Sequence, residues 1–231
     1  MTGSNGQLAF DLGHRPAFGR ADFLRAASNA EAVAWLERWP DWPAHALALH
    51  GPAGCGKTHL LAAFAESAEA VARVDACGLS AEAVPGLVES ARVVVVDRLD
   101  ALADEAALFH LWNLTKETGR FLLLAGRQAP ARRPVRLPDL ASRLAATQAI
   151  GIGAPDDSLL AAVLVKLFAD RQLKVGAEVV TFLLGRIERS FAAIGAVVDA
   201  LDRASLSERR AVTVPLARAV LEREFGDLPP P

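Results

Sequence analysis

Eight residues, Gly51-Pro52-Ala53-Gly54-Cys55-Gly56-Lys57-Thr58, constrain this chain more than any other stretch. They follow the pattern G-x-x-x-x-G-K-[ST], and their flanks fit it. Ala46-Leu47-Ala48-Leu49-His50 is a short apolar run that reads as a buried strand. Residues 58–67 read as a helix, with Leu60, Leu61 and Phe64 on one side. Strand, glycine turn and helix N-terminus together make a loop that cradles phosphate. The glycines let the backbone curl, successive N–H groups converge on the anion, and the helix dipole adds partial positive charge. Lys57 is then expected to reach the outer phosphates, and Thr58 to offer its hydroxyl to Mg²⁺. A glycine-rich turn with no ligand is the plain alternative, and the flanks argue against it.

Such a loop needs a sheet to stand on. Strands are expected at 47–50, 71–75, 93–97, 121–125 and 148–152. Helices are expected at 21–39, 58–67, 81–89, 105–118 and 138–144. Alternation at this spacing predicts an α/β fold with a parallel sheet flanked by helices, and ligands at the carboxyl ends of its strands. Val93-Val94-Val95-Val96-Asp97 is a β-branched apolar run ending in a carboxylate. A buried strand delivers an Asp to the metal beside the phosphates in this way, so Asp97 joins Thr58 as a metal-site candidate. After Pro155 the pattern is helical only. Asp156 and Ser190 are expected as N-caps, a helix is expected at 177–187, and Thr213 is expected to cap a last helix with Pro215 in its first turn. This predicts an arm over 1–20, a nucleotide-binding domain over 21–153 and a small helical lid domain over 154–231.

The chain has 231 residues, 52% of them apolar, enough for a sizeable core. Its net charge of -2 gives no global attraction to nucleic acid or an anionic membrane. Two cysteines, Cys55 and Cys77, make neither a disulfide framework nor a zinc site, and a cysteine inside the loop suits a reduced cytoplasm. No signal peptide and no membrane span are expected. His50, His59 and His110 show no metal spacing. Arg132, Arg133 and Arg136 read as a solvated loop, with a phosphate or partner contact as the alternative. Trp35, Trp39, Trp42 and Trp112 read as packing residues. In the arm, Gln7-Leu8-Ala9-Phe10-Asp11-Leu12 carries large apolar side chains with no core of their own. It is either a strap on the domain or a linear docking peptide.

The order of parts, phosphate loop, acidic strand, one more strand and a C-terminal helical lid, resembles the AAA+ ATPases. Within them it is similar to the DnaA/Hda family of bacterial replication initiators and their regulators. Gly56-Lys57-Thr58-His59-Leu60-Leu61 resembles the family's loop-to-helix sequence, and Phe23-Leu24 with Ser28-Asn29 its adenine pocket. Residues 137–144, LPDLASRL, are similar to the Hda arginine-finger segment. Residues 201–205, LDRAS, are similar to its lid helix, and Gln7, Leu8, Phe10 and Leu12 fall on its clamp-binding peptide. The DNA-binding domain of DnaA has no counterpart here. The resemblance implies ADP or ATP with Mg²⁺ bound through Phe23, Leu24, Asn29, Gly51, Pro52, Ala53, Gly54, Cys55, Gly56, Lys57, Thr58, His59 and Asp97. It also implies docking on the DNA polymerase sliding clamp, with Arg143 inserted beside ATP on the initiator DnaA. Hydrolysis of that ATP would restrain replication initiation. No sequence-specific DNA contact and no membrane contact are implied, and a homo-oligomer stays open.

Three departures from the family bear on hydrolysis. Arg98 stands where a second acidic residue usually follows the metal-site Asp, and a guanidinium cannot act as base. Arg127 falls at or beside a polar sensor position, with Asp100 expected to point elsewhere. Ala192 falls where the lid helix should present an arginine, Arg189 lying about one turn earlier. Weak intrinsic hydrolysis is therefore expected. The alternatives are an autonomous ATPase or helicase loader, a P-loop small-molecule kinase, and a scaffold holding nucleotide as a structural ligand.

Overall fold

The structure is a computed structural model that describes residues 24–226. Gln7, Leu8, Phe10, Leu12 and Phe23 lie outside the described residues. Five parallel strands form one sheet: β1 (Ala46–His50), β2 (Val71–Asp75), β3 (Val93–Asp97), β4 (Phe121–Gly126) and β5 (Gln148–Gly151), in the order β2-β3-β4-β1-β5. Side chains alternate across a strand, so the continuous apolar runs serve two cores at once. Val93 and Val95 join Leu47, Leu49, Leu123 and Ile150 beneath α1 (Ala30–Glu37) and α2 (Lys57–Ser67). Val94 and Val96 join Ala48, Leu122 and Leu124 beneath α3 (Val84–Ser90), α4 (Glu105–Glu117) and α5 (Pro138–Ala145). All four valines are fully buried. At about 1.5–3 kcal/mol per buried side chain of this size, they hold Asp97 at the strand's end on a rigid base.

Trp42 closes the first core. It stacks on Phe64, meets Phe121 edge-on, and donates from Nε1 to the Trp35 carbonyl at 2.8 Å. The remaining helices are α6 (Asp157–Asp170), α7 (Ala177–Leu184), α8 (Phe191–Glu208) and α9 (Val214–Phe225). They pack around a third core whose fully buried members all fall between Leu160 and Leu221, whereas the two sheet cores draw on residues no later than Ile152. Asp156 and Ser190 cap α6 and α8, accepting from Leu159 N at 2.8 Å and Ala193 N at 3.1 Å. No described helix is long and apolar enough to cross a membrane.

Three local readings are corrected. The helix expected over 21–39 begins at Ala30. The buried Asn29 uses both ends of its amide on preceding backbone, accepting from Ala26 N at 2.9 Å and donating to the Leu24 carbonyl at 3.0 Å. That bonding holds the backbone over 24–29 in a turn instead of a helix. The helix expected from Ala81 begins at Val84, which puts Pro85 in its first turn, the one part of a helix that tolerates proline. Thr213 occupies the N-cap position of α9, but its side chain makes no cap hydrogen bond.

Candidate functional site

The glycine loop rises from β1 at the carboxyl end of the sheet. Gly51 N donates to the Gly126 carbonyl of β4 at 3.2 Å, and Ile152 N, just after β5, donates to the His50 carbonyl at 2.7 Å. The loop is thus anchored on both sides. Gly54 and Gly56 have φ of +71° and +93°, a region that favours glycine. Gly56 is the N-cap of α2, whose first turn is Lys57, Thr58 and His59. Lys57 Nζ spans the loop, donating to the Gly51 and Pro52 carbonyls at 2.8 Å each, with Cys55 Sγ at 3.4 Å.

Thr58 and Asp97, 39 positions apart in the chain, meet directly: Thr58 Oγ1 donates to Asp97 Oδ2 at 2.7 Å. The other carboxylate oxygen accepts from Arg98 N at 2.7 Å, so both oxygens are oriented. One hydroxyl and one carboxylate beside a phosphate loop suit Mg²⁺, which draws its remaining ligands from phosphate oxygens and water. They do not suit zinc or calcium, and no group of three or more His, Cys, Asp or Glu gathers among the described residues.

Arg98 is left-handed, with φ of +52°. Its guanidinium turns aside to pair with Asp75 at the end of β2. Asp75 also accepts from Cys77 N at 3.2 Å. The Cys77 hydrogen bonds, joined by the Arg98 cation, hold the Asp75 carboxyl below its ordinary pKa. Asp100 accepts from Arg127 N at 2.6 Å, and its other oxygen lies 3.9 Å from Arg127 Nε. The acid nearest in sequence after Asp97 is therefore spent on the sensor position. His50, at the root of the loop, has a lowered pKa through burial and the nearby cations of Arg132 and Lys57.

A groove of about 830 Å³ runs between the loop and the lid. This falls within the range of small-molecule and cofactor sites. Gly54, Gly56, Lys57, Thr58 and His59 line it from the α/β side together with Leu24, while Leu159, Val163, Phe191 and Ala192 line it from the lid. Of these lid residues, Ala192 was marked in the sequence as the position where the lid helix should present an arginine. Leu159, Val163 and Phe191 were not legible as site residues, and only the helical periodicity of Val163 and Phe191 was. Asn29 stands apart from the groove lining, and its side chain instead fixes the backbone that carries Leu24. Gly51 and Cys55 are buried at the root of the loop, and Pro52 and Ala53 are exposed. Arg189 pairs with Asp157 at 3.1 Å. Arg133 is half-buried and donates to the Leu102 carbonyl at 3.2 Å, so the basic loop is not wholly solvated.

Arg143 lies near the end of α5, half-buried, its guanidinium 5.1 Å from the ring centroid of Phe109 on α4. Its Nε is buried without a hydrogen-bond partner, and the side chain has no ion pair among the described residues. A guanidinium held by an aromatic face retains donors for an acceptor from outside.

Parallel sheet, glycine loop, acidic strand and helical lid define a P-loop module of the AAA+ class. The comparisons narrow the class. The profile of the family described as "Hda, lid domain" matches residues 157–221. An uncharacterised protein of Haemophilus influenzae is 30% identical over 182 residues, covering 74% of this chain and 79% of that protein. Domain III of the Thermotoga maritima replication initiation protein DnaA superposes with a TM-score of 0.74 at 18% identity, covering 87% of this chain and 94% of that one. The replication initiator DnaA bound to AMPPCP and single-stranded DNA superposes with a TM-score of 0.65 at 18% identity, covering 81% of this chain and 66% of that one. The chain thus spans just under two thirds of that initiator. It belongs to the Hda/DnaA-related family.

Proposed function

We propose that this chain is a nucleotide-bound regulator that docks on the DNA polymerase sliding clamp and promotes hydrolysis of ATP held by the initiator DnaA. The backbone amides of the glycine loop and Lys57 would hold the phosphates of ADP or ATP. Thr58 and Asp97 would hold Mg²⁺, whose positive charge would neutralise the phosphates. The AMPPCP on the DnaA neighbour supports a nucleotide in this groove. The base would lie among the apolar side chains of Leu24, Leu159 and Val163, together with Phe23 from outside the described residues.

The contrast around Asp97 carries this reading. The binding pair Thr58–Asp97 is assembled, while Arg98 is turned to Asp75 and Asp100 is bound to Arg127. Such a site suits holding nucleotide better than activating water. Activity would then lie in what the chain gives a partner. Arg143, in the segment similar to the Hda finger, would enter the initiator's ATP site and stabilise transition-state charge, worth about 10³–10⁵ in rate where arginine fingers have been measured. Gln7, Leu8, Phe10 and Leu12 would supply the clamp contact.

A pull-down of the full chain against clamp and initiator, with and without ADP, tests this. Both partners should be retained, and Gln7→Ala with Leu12→Ala should remove the clamp alone. Retention of neither partner by the ADP-bound chain contradicts the proposal.

A further inference from the structure

The lid meets the glycine loop through Ser190 and Phe191, and the contact bears on a peptide plane. Phe191 N, the first amide of α8, donates to the Gly54 carbonyl at 3.1 Å. A Cβ added to Gly54 would lie 2.4 Å from Ser190 Cβ, and one added to Gly56 would lie 2.9 Å from Phe191 Cε2. The two loop glycines therefore make room for the lid as well as for their own positive φ. Ser190 is 4% exposed and caps α8, and Phe191 packs into the lid core, so the donor comes from a fixed element.

A trans peptide is planar, with its C=O and N–H directed to opposite sides. Fixing the Gly54 carbonyl therefore fixes the direction of the Cys55 N–H. We infer that Phe191 is a positioning residue for the phosphate loop: its amide and ring set the Gly54–Cys55 peptide, so that the lid presets one of the loop's amide donors. This rests on the nucleotide-binding reading only for its consequence, since the contact itself is made within the chain. It also gives the lid a main-chain role in place of the arginine that position 192 lacks.

Phe191 is the N1 residue of its helix, where proline is tolerated, and Ser190 already has the extended conformation (φ -141°, ψ 147°) that a following proline requires. Phe191→Pro therefore deletes the N–H and the ring, while Phe191→Ala deletes the ring and keeps the N–H. Two readouts compare them: hydrogen exchange of the amides at 54–58 in ligand-free full-length protein, and ADP affinity by calorimetry. Exchange should be faster in Phe191→Pro than in Phe191→Ala, and ADP binding about three- to tenfold weaker, the range for one hydrogen bond. Equal exchange and equal affinity in the two variants overturn the inference. If Phe191→Pro fails to fold, the wild-type Phe191 amide decides: protection supports the contact, and exchange at the rate of an exposed amide overturns it. A wild type that binds no ADP sinks the nucleotide reading, while the exchange comparison still judges the positioning role.

Discussion

The two sides of Asp97 have parted company. Toward the glycine loop, the parts that would hold a nucleotide are mutually oriented: positive-φ glycines, Lys57 across the loop, and Thr58 on Asp97. Away from the loop, the groups are polar but bound to one another, Arg98 to Asp75 and Arg127 to Asp100, while the lid offers Ala192. On the proposed reading, the difference teaches that binding and hydrolysis are separable: β1, the start of α2 and Asp97 would hold the nucleotide, while hydrolysis would need the residues just past β3 and β4.

The largest expected effect breaks the first side. Lys57→Ala should abolish ADP binding, because the outer phosphates lose the only cation within the loop motif. Thermal melting with and without ADP measures this: the wild type should be stabilised by the ligand and the variant should not. A wild type whose melting ignores ADP contradicts the binding side outright.

A smaller effect sharpens the second side. Isolated wild type with ATP and Mg²⁺ should turn over well below about 1 s⁻¹, under the ordinary enzyme range. Arg98→Glu frees Asp75 and returns a carboxylate next to Asp97, so steady-state phosphate release should rise, by about 10²-fold if the carboxylate serves as a full general base, the low end of such contributions. No gain would place the deficit elsewhere, at Arg127 or Ala192.

The geometry of the glycine-loop side was legible in the sequence because it is local. Strand, glycines, Lys57 and Thr58 are consecutive, and the valines before Asp97 announce a buried strand by composition alone. What escaped is non-local or depends on side-chain choice. Asn29 looked like a pocket residue, yet its amide turns backward and shortens α1. Nothing in the sequence ties Arg98 to Asp75, 23 positions earlier, or brings Phe191 onto Gly54. The lid's caps at Asp156 and Ser190 were legible, since a capping side chain acts within three residues. Thr213 shows the limit of that rule.

The smallest effect belongs to the lid. Asp156→Ala should cost about 1 kcal/mol through loss of the α6 cap, a fall in melting temperature of about 2–4 °C for a chain of this size. The Leu159 N–H, followed by the Ser158 hydroxyl, lowers the Asp156 pKa in the folded state. The charged form is therefore favoured on folding. The contribution is fully present above the unfolded value of about 3.9 and is lost as pH falls through the lower folded value. Asp156→Asn should keep part of the cap and remove that acid dependence, as melting curves between neutral and acid pH would show.

On the proposed function, Arg143 would decide whether this chain, expected to hold nucleotide and hydrolyse it poorly, acts on a partner's ATP. The measurement is single-turnover hydrolysis of ATP preloaded on the initiator, with clamp-loaded DNA and this chain as wild type, Arg143→Ala or Arg143→Lys. Wild type should accelerate hydrolysis, and both variants should fail while still binding ADP, clamp and initiator, because lysine cannot reproduce the planar, two-pronged contact of a guanidinium with a phosphoryl group. Stimulation by Arg143→Ala equal to that of the wild type would contradict the account.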